Sequence, residues 1–368
     1  MMQAKCPECS KNQDLGHKFC GGCGNMLDCP ECERYRTAGT AFCGGCGRRF
    51  GLLLAYVPDK KSNGPVFWAS LFAMGFVMIF MAVEAATMIF KFADVFVYAA
   101  EIDYGLLVLL PSPHVFLRFS GTESQIYWVF LVAAVLLSFA QLAREMYSKH
   151  VGRGPEDDMR GLEDTSAYWL GLLWPSTVVI QLAIMLLLIM WGDADLPSFE
   201  TSDDQYMMFV LASASVWEEL ITRLLMIGLP LAVFAFASKK ERPARYLLGG
   251  FGVGKAAMVL IIMSSAIFGY AHYDGWGMIK ILPSFMFGLA AGYLYCKYGL
   301  YASVLLHFVN DYMQSFLWLG MGAGSMSILV LMLLGLGLVT TVILAVKGVP
   351  FAKGFRRREF FPDSFNKD

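Results

Sequence analysis

The sequence predicts an all-α polytopic membrane protein of about eight transmembrane helices carrying a small cysteine-rich N-terminal domain, and three observations predict it. Of the 368 residues, 57% are hydrophobic and only 16% are charged, more apolar than a soluble protein with a single buried core needs to be. That apolarity is cut into runs of about 20 residues, the length that crosses roughly 30 Å of hydrocarbon. Eight of the nine cysteines fall within the first fifty residues at regular spacing.

The cysteine-rich segment comes first in the chain. Cys6-Pro-Glu-Cys9 and Cys20-Gly-Gly-Cys23 are followed, 23 residues on, by Cys29-Pro-Glu-Cys32 and Cys43-Gly-Gly-Cys46. Each repeat, over 6–23 and 29–46, reads C-x2-C-x10-C-x2-C, two knuckles whose four thiolates can surround one zinc, with glycines permitting the tight turns beneath it. The expectation for 1–50 is therefore a double zinc ribbon holding two structural zinc ions, whose binding supplies the folding free energy that so few large apolar side chains cannot. Four disulfides would need an oxidising compartment. The first fifty residues are polar and lack an apolar core, so no signal peptide is expected. The repeats resemble the tandem zinc ribbons found on many archaeal and bacterial proteins. Such ribbons bind proteins or nucleic acid, or serve as decoration, and a cytoplasmic protein partner is one of these readings. Residues 51–65, with Pro58, Lys60, Lys61 and Gly64-Pro65, read as a linker. Cys296, outside the ribbons, reads as an ordinary small apolar residue.

The transmembrane domain is expected over 66–347, with spans near 66–90, 125–143, 168–191, 206–228, 247–270, 281–297, 300–319 and 325–347. Gly105 to Leu110 is apolar too, but Pro111-Ser-Pro113 cuts it short, which marks an interfacial or extracytoplasmic piece. Basic residues alternate from connection to connection. Lys60/Lys61, Arg144/Lys149/Arg153/Arg160, Lys239/Lys240/Arg242/Arg245 and Lys353/Arg356/Arg357/Arg358 fall on one set, whereas 192–205 and 320–324 carry no Lys or Arg. This pattern predicts an even number of spans in the plasma membrane, both termini cytoplasmic and a basic tail over 348–368. Glu84, near the end of the first span, is expected to snorkel to the interface.

The fourth span carries the chemistry-bearing cluster, Val216-Trp217-Glu218-Glu219-Leu220-Ile221-Thr222-Arg223. A charge at bilayer depth costs at least ~2.5–3.5 kcal/mol on insertion scales, so three in one turn must be partnered and point to function. Glu219 and Arg223 are four apart and can pair; Glu218 points about 100° away and is left without a local cation. His307 and Asp311, again four apart, share a face, and His272 ends the fifth span after Phe268-Gly-Tyr-Ala. Buried Glu, Arg and His are also compatible with a proton-coupled transporter or a structural polar network.

In order along the chain, Glu-Glu-x-x-x-Arg (Glu218, Glu219, Arg223), Phe-x-x-x-His (Phe268, His272) and His-x-x-x-Asp (His307, Asp311) resemble the motifs of the CPBP intramembrane proteases. That family contains the type II CAAX prenyl endopeptidases and the Abi and bacteriocin-immunity proteins. The resemblance covers about 165–320, with Phe287-Gly-Leu-Ala-Ala-Gly-Tyr-Leu-Tyr adding to it, and leaves out the ribbons. It implies hydrolysis of a peptide bond in a membrane-anchored peptide or protein. Glu218 would be the general base, His272 would help hold the water, Arg223 would fix Glu219, and His307 with residue 311 would stabilise the oxyanion. Many relatives have Asn where this chain has Asp311, and an ionised carboxylate repels an oxyanion, so Asp311 is either protonated or a holder of His307. An active-site metal on Glu218, His272 and His307 competes with the metal-free reading, since zinc accepts such ligands. Some Abi-type relatives act by binding rather than cleavage, so a non-catalytic membrane binding protein is the further alternative.

Straight spans would place His272 and His307 at different depths. Either the fifth span breaks near Ser264-Ser265, with the chain around Gly275-Trp-Gly277 dipping back, or it begins later and tilts strongly; the break is the preferred expectation.

Overall fold

A computed structural model describes residues 31, 64–108, 114–150, 161–192, 203–240, 242–355 and 360. The chain divides into two units, Met1–Gly64 and Pro65–Asp368. The helices of the second unit are α1 (Pro65–Phe90), α2 (Phe92–Ala99), α3 (Thr122–His150), α4 (Ser166–Met190), α5 (Asp204–Ala237), α6 (Lys255–Ala271), the single turn α7 (Tyr273–Trp276), α8 (Met278–Lys297), α9 (Leu300–Asp311), the single turn α10 (Ser315–Trp318) and α11 (Ala323–Phe355). Seven of them (α1, α3, α4, α5, α6, α8 and α11) are long and apolar enough to cross a bilayer. The molecule is an all-α polytopic membrane protein.

The eighth expected span, 300–319, is not a continuous helix. α9 has 12 residues, about 18 Å of rise, and gives way to a 3-10 turn and then α10. It is buried from Ala302 to Val309, so protein rather than lipid surrounds it, and its irregular continuation is tolerated for that reason. The run 300–318 still carries the chain to the far end of the bundle, because α11 lies antiparallel to α4. Pro175 meets Gly337, Ser176 Oγ donates to Thr340 Oγ1 at 2.8 Å, and Tyr168 and Leu172 pack with Ile343.

The fifth span also departs from expectation. α6 is unbroken at Ser264-Ser265 and begins at Lys255, after a 3-10 segment Pro243–Leu248 and a turn in which Gly249, Gly250 and Gly252 all have positive φ. Positive φ is open to glycine at little cost. Starting eight residues later than the sequence suggested removes about 12 Å of depth, which brings His272 back toward His307. The two serines have other tasks: Ser265 packs within 3.0 Å of where a Cβ on Gly288 would sit, and Ser264 joins the site. A Cβ on Gly269 would lie 2.5 Å from the Ile281 carbonyl, so small residues set the close antiparallel packing of α6 on α8.

One element is not helical. The interfacial piece expected at Gly105–Leu110 is a β-hairpin, β1 (Asp103–Val108) pairing antiparallel with β2 (His114–Ser120), with a bulge between Leu106 and Leu107. Its inner face joins the end of α1, α2, α3 and the start of α5 in one apolar cluster around Leu106, Trp128 and Phe209. The reading of Glu84 is also corrected. The side chain is fully buried with no hydrogen-bond partner for either oxygen among the described residues, and it lies within electrostatic reach of Asp311 and Tyr312 at the end of α9, so it turns into the bundle and not toward the interface.

Candidate active site

The Glu218 cluster lies where α5 changes its winding. Residues 214–218 and 220–228 are π-helical, the wider i→i+5 form that recurs at functional sites. The widened turns still keep Glu219 and Arg223 together. Both side chains are completely buried, with Arg223 Nε donating to Glu219 Oε2 at 3.0 Å. Arg223 Nη1 donates to Ser264 Oγ at 3.1 Å, and Ser264 Oγ donates to the Thr222 carbonyl at 2.6 Å, so α6 clamps the ion pair in place. The guanidinium also lies 5.6 Å from the Phe268 ring centroid, within cation–π range.

Glu219 is shared. Its other oxygen, Oε1, lies 3.0 Å from His307 Nδ1. A carboxylate held by arginine can only accept, so Nδ1 carries the proton of that bond, which fixes the imidazole ring and leaves Nε2 facing the other acids. Nε2 is 3.4 Å from Asp311 Oδ2 and 3.8 Å from Glu218 Oε2. Asp311 in turn accepts from Asn310 Nδ2 at 3.2 Å. His272 caps the C-terminal end of α6, its Nδ1 2.8 Å from the Phe268 carbonyl, and it lies within electrostatic reach of Glu218. Phe268 stands between the two imidazoles, its ring centroid 4.7 Å from His272 and 6.0 Å from His307. All six residues singled out in the sequence therefore meet, from three different helices.

Glu218 differs from its neighbour. A quarter of its side chain is exposed, and Oε2 has no hydrogen-bond partner among the described residues. It lines a cleft of about 320 Å³ together with Trp217, His272, Trp276, Tyr104 and Leu107. Buried polar atoms are normally paired, so a carboxylate that lines a largely apolar cleft with one oxygen buried and unpaired is a group held short of its hydrogen-bonding capacity.

The strap over this cleft was not legible in the sequence. Tyr104 Oη donates to Ser213 Oγ at 2.8 Å and Trp217 Nε1 donates to the Leu107 carbonyl at 2.6 Å, pinning β1 to the turn of α5 that precedes Glu218. Ser213 and Trp217 are four apart on the same helix as Glu218, the one local hint that this face holds a neighbour.

A metal fits the donors by chemistry, since Nδ1 of each histidine is already engaged and each Nε2 is left over. The arrangement does not gather them: among the described residues no three His, Cys, Asp or Glu side chains are placed to hold one ion. The ribbon ligands Cys6, Cys9, Cys20, Cys23, Cys29, Cys32, Cys43 and Cys46, and the basic tail at Arg356 to Arg358, lie outside the described residues.

No curated protein and no solved structure matches the chain. Residues 205–313, which run from the start of α5 to just beyond Asp311 and so contain every residue of this cluster, match the family described as Type II CAAX prenyl endopeptidase Rce1-like. This stretch is an Rce1-like type II CAAX prenyl endopeptidase domain, and it is set in a multi-pass membrane protein.

Proposed function

We propose that the protein is an endopeptidase that hydrolyses a peptide bond of a membrane-anchored polypeptide with a water activated by Glu218, and that no metal takes part. The observation carrying this reading is Glu218 itself, a quarter of its side chain exposed in a mostly apolar cleft that His272 also lines, with its buried Oε2 unpaired among the described residues and 3.8 Å from His307 Nε2. Glu218 accepts a proton from the water, and the hydroxide forms a bond to the scissile carbonyl carbon. His307 acts as an imidazolium, its Nδ1–H donated to Glu219 and its charge supported by Asp311, so that its Nε2–H is the donor presented to the developing oxyanion. The proton then passes from Glu218 to the departing amine as the C–N bond breaks. His272 orients the water. Asp311 steadies His307 rather than facing the oxyanion itself, which accounts for a carboxylate at this position. Arg223 acts only through Glu219, by neutralising and aiming it.

The Lys and Arg distribution orients the molecule with both termini in the cytoplasm. The hairpin and the cleft mouth, at the opposite ends of the spans from the basic loops, then face away from the cytoplasm, and the substrate is presented from that side. A cysteine placed at Gly322 is expected to react with an impermeant reagent on intact cells and one at Ser238 is not. The N-terminal repeats hold two zinc ions in this reading. A fragment of residues 1–60 is expected to bind about two zinc ions and unfold with a strong chelator; retention of its fold after chelation under reducing conditions excludes the ribbons.

The decisive experiment uses full-length protein in proteoliposomes with two quenched-fluorescent peptides, one farnesylated at a C-terminal CAAX sequence and one carrying an N-terminal acyl anchor. Cleavage of either, abolished by Glu218→Gln and unaffected by chelator after deletion of residues 1–61, supports the reading. Loss of activity to the chelator in the truncated protein, or cleavage that survives Glu218→Gln, overturns it.

A further inference from the structure

At the other end of the same helices a cavity of about 720 Å³ opens between α3, the start of α4, the segment preceding α6 and the α8–α9 junction. Four cations line it, Arg144 and Lys149 from α3, Arg245 from the 3-10 segment and Lys297 from the end of α8, against two carboxylates, Glu145 and Asp164. One of those carboxylates is already engaged. Glu145 accepts from the Ser166 backbone N–H at 3.2 and 3.1 Å, from the Ser166 hydroxyl, and from Tyr301 Oη at 2.9 Å. Those bonds tie α3 to α4 and α9, and the two carboxylates together leave the cavity lining with more cations than anions.

Lys297 is held in an unusual way for a lysine. Its ammonium lies 4.3 Å from the Trp169 ring centroid, 4.9 Å from Tyr298 and 5.8 Å from Tyr293, and it forms no ion pair with a described carboxylate. Ring faces attract the charge but take none of its three N–H donors in a conventional hydrogen bond. The Tyr298 hydroxyl in the same wall is buried without a hydrogen-bond partner among the described residues. The positive-inside tendency accounts for Lys and Arg at this end of the spans. It does not account for cations from separate stretches of chain converging on one cavity, or for an ammonium and a phenol for which no described residue supplies an acceptor.

We propose that this cavity binds the phosphate of an anionic lipid headgroup. A phosphate offers one compact negative charge and several acceptor oxygens, and basic pockets between transmembrane helices at the cytoplasmic interface are suited to such headgroups. The inference stands on residues outside the cleft and is independent of the proposed hydrolysis. A soluble phosphate compound carries the same oxygens, so the test separates the two sources.

Full-length protein is reconstituted in nanodiscs of mixed phosphatidylglycerol and phosphatidylcholine, and the lipid retained after mild detergent exchange is quantified by mass spectrometry. Phosphatidylglycerol is expected to be enriched over phosphatidylcholine. Arg144→Gln with Lys149→Gln, both on the accessible rim, is expected to weaken retention by about fivefold per cation removed, the effect of roughly 1 kcal/mol for each basic residue near an anionic headgroup. Lys297→Arg should keep the enrichment and Lys297→Met should lose it. Equal retention of the two lipids, or identical retention by wild type and the rim double variant, overturns the proposal. Inorganic phosphate added to phosphatidylcholine nanodiscs is the second arm: thermal protection by phosphate that the rim variant abolishes, without phosphatidylglycerol enrichment, overturns the lipid source and assigns the cavity to a soluble phosphate.

Discussion

The two ends of the helical bundle treat their carboxylates in opposite ways. At the basic end Glu145 is saturated with donors from Ser166 and Tyr301, and it works as a structural tie. At the hairpin end Glu219 is likewise saturated, by Arg223 and His307, yet the residue next to it lines the cleft with one oxygen that has no partner among the described residues. The difference lies in what each acid is given, and two adjacent glutamates on one helix receive opposite treatment. A fully satisfied carboxylate fixes geometry; one left partly unsatisfied at the wall of a cleft is available to react. Glu218, Glu219 and Glu145 thus separate the reacting group, the group that positions it, and a group that only holds helices together.

The sharpest way to break this comparison is at Glu218. Glu218→Gln keeps the shape of the side chain and removes the base, so turnover should fall by about 10²–10⁴-fold or more, with the thermal melt in detergent unchanged. A loss of stability of the same order as the loss of activity would place Glu218 with Glu219 as a structural acid.

Next in size is the buried ion pair. Arg223→Leu leaves Glu219 as an uncompensated buried charge and should cost about 3–5 kcal/mol of stability, whereas Glu219→Leu with Arg223→Leu should recover much of it while remaining inactive, because His307 has lost its anchor. Melting and turnover of the single and double variants check this. If the double variant is as unstable as the single one, the pair is not the element that makes burial tolerable.

At the basic end, Glu145→Ala deletes an acceptor of several charge-assisted hydrogen bonds and should lower stability by about 1.5–3 kcal/mol. A neutral effect on the melt would mean that the tie between α3, α4 and α9 carries little. The smallest effect is expected from the strap. Trp217→Phe removes one hydrogen bond to the Leu107 carbonyl, worth about 1 kcal/mol, and should raise KM by about fivefold or less with kcat nearly unchanged. Inactivation as deep as that of Glu218→Gln would make Trp217 part of the reacting set.

Much of this was legible in the sequence, for reasons that are local. Span-length apolar runs must be helices in a bilayer, since each helix satisfies its own backbone. The i, i+4 spacing of Glu219 with Arg223, and of His307 with Asp311, is enough to put each pair on one face, and both pairs are found there. What the sequence left open was long-range. Whether the fifth span broke at Ser264 or began late depended on the glycine turn at 249–252 and on how closely Gly269 and Gly288 let α6 approach α8. Glu84 read as a snorkelling acid because its helix end looked exposed, and only the tertiary placement of its face of α1 beside Asp311 and Tyr312 buried it. The β-hairpin itself, cut by two prolines, carried no periodicity strong enough to declare its pairing. By itself the sequence determined which side chains were too costly to bury alone and therefore had to be partnered. Spacing along one helix already gave the arginine to Glu219; that His307 joins the same carboxylate, and that Glu218 lines a cleft beneath the hairpin, was decided by tertiary structure, because those contacts are made among helices far apart in the chain.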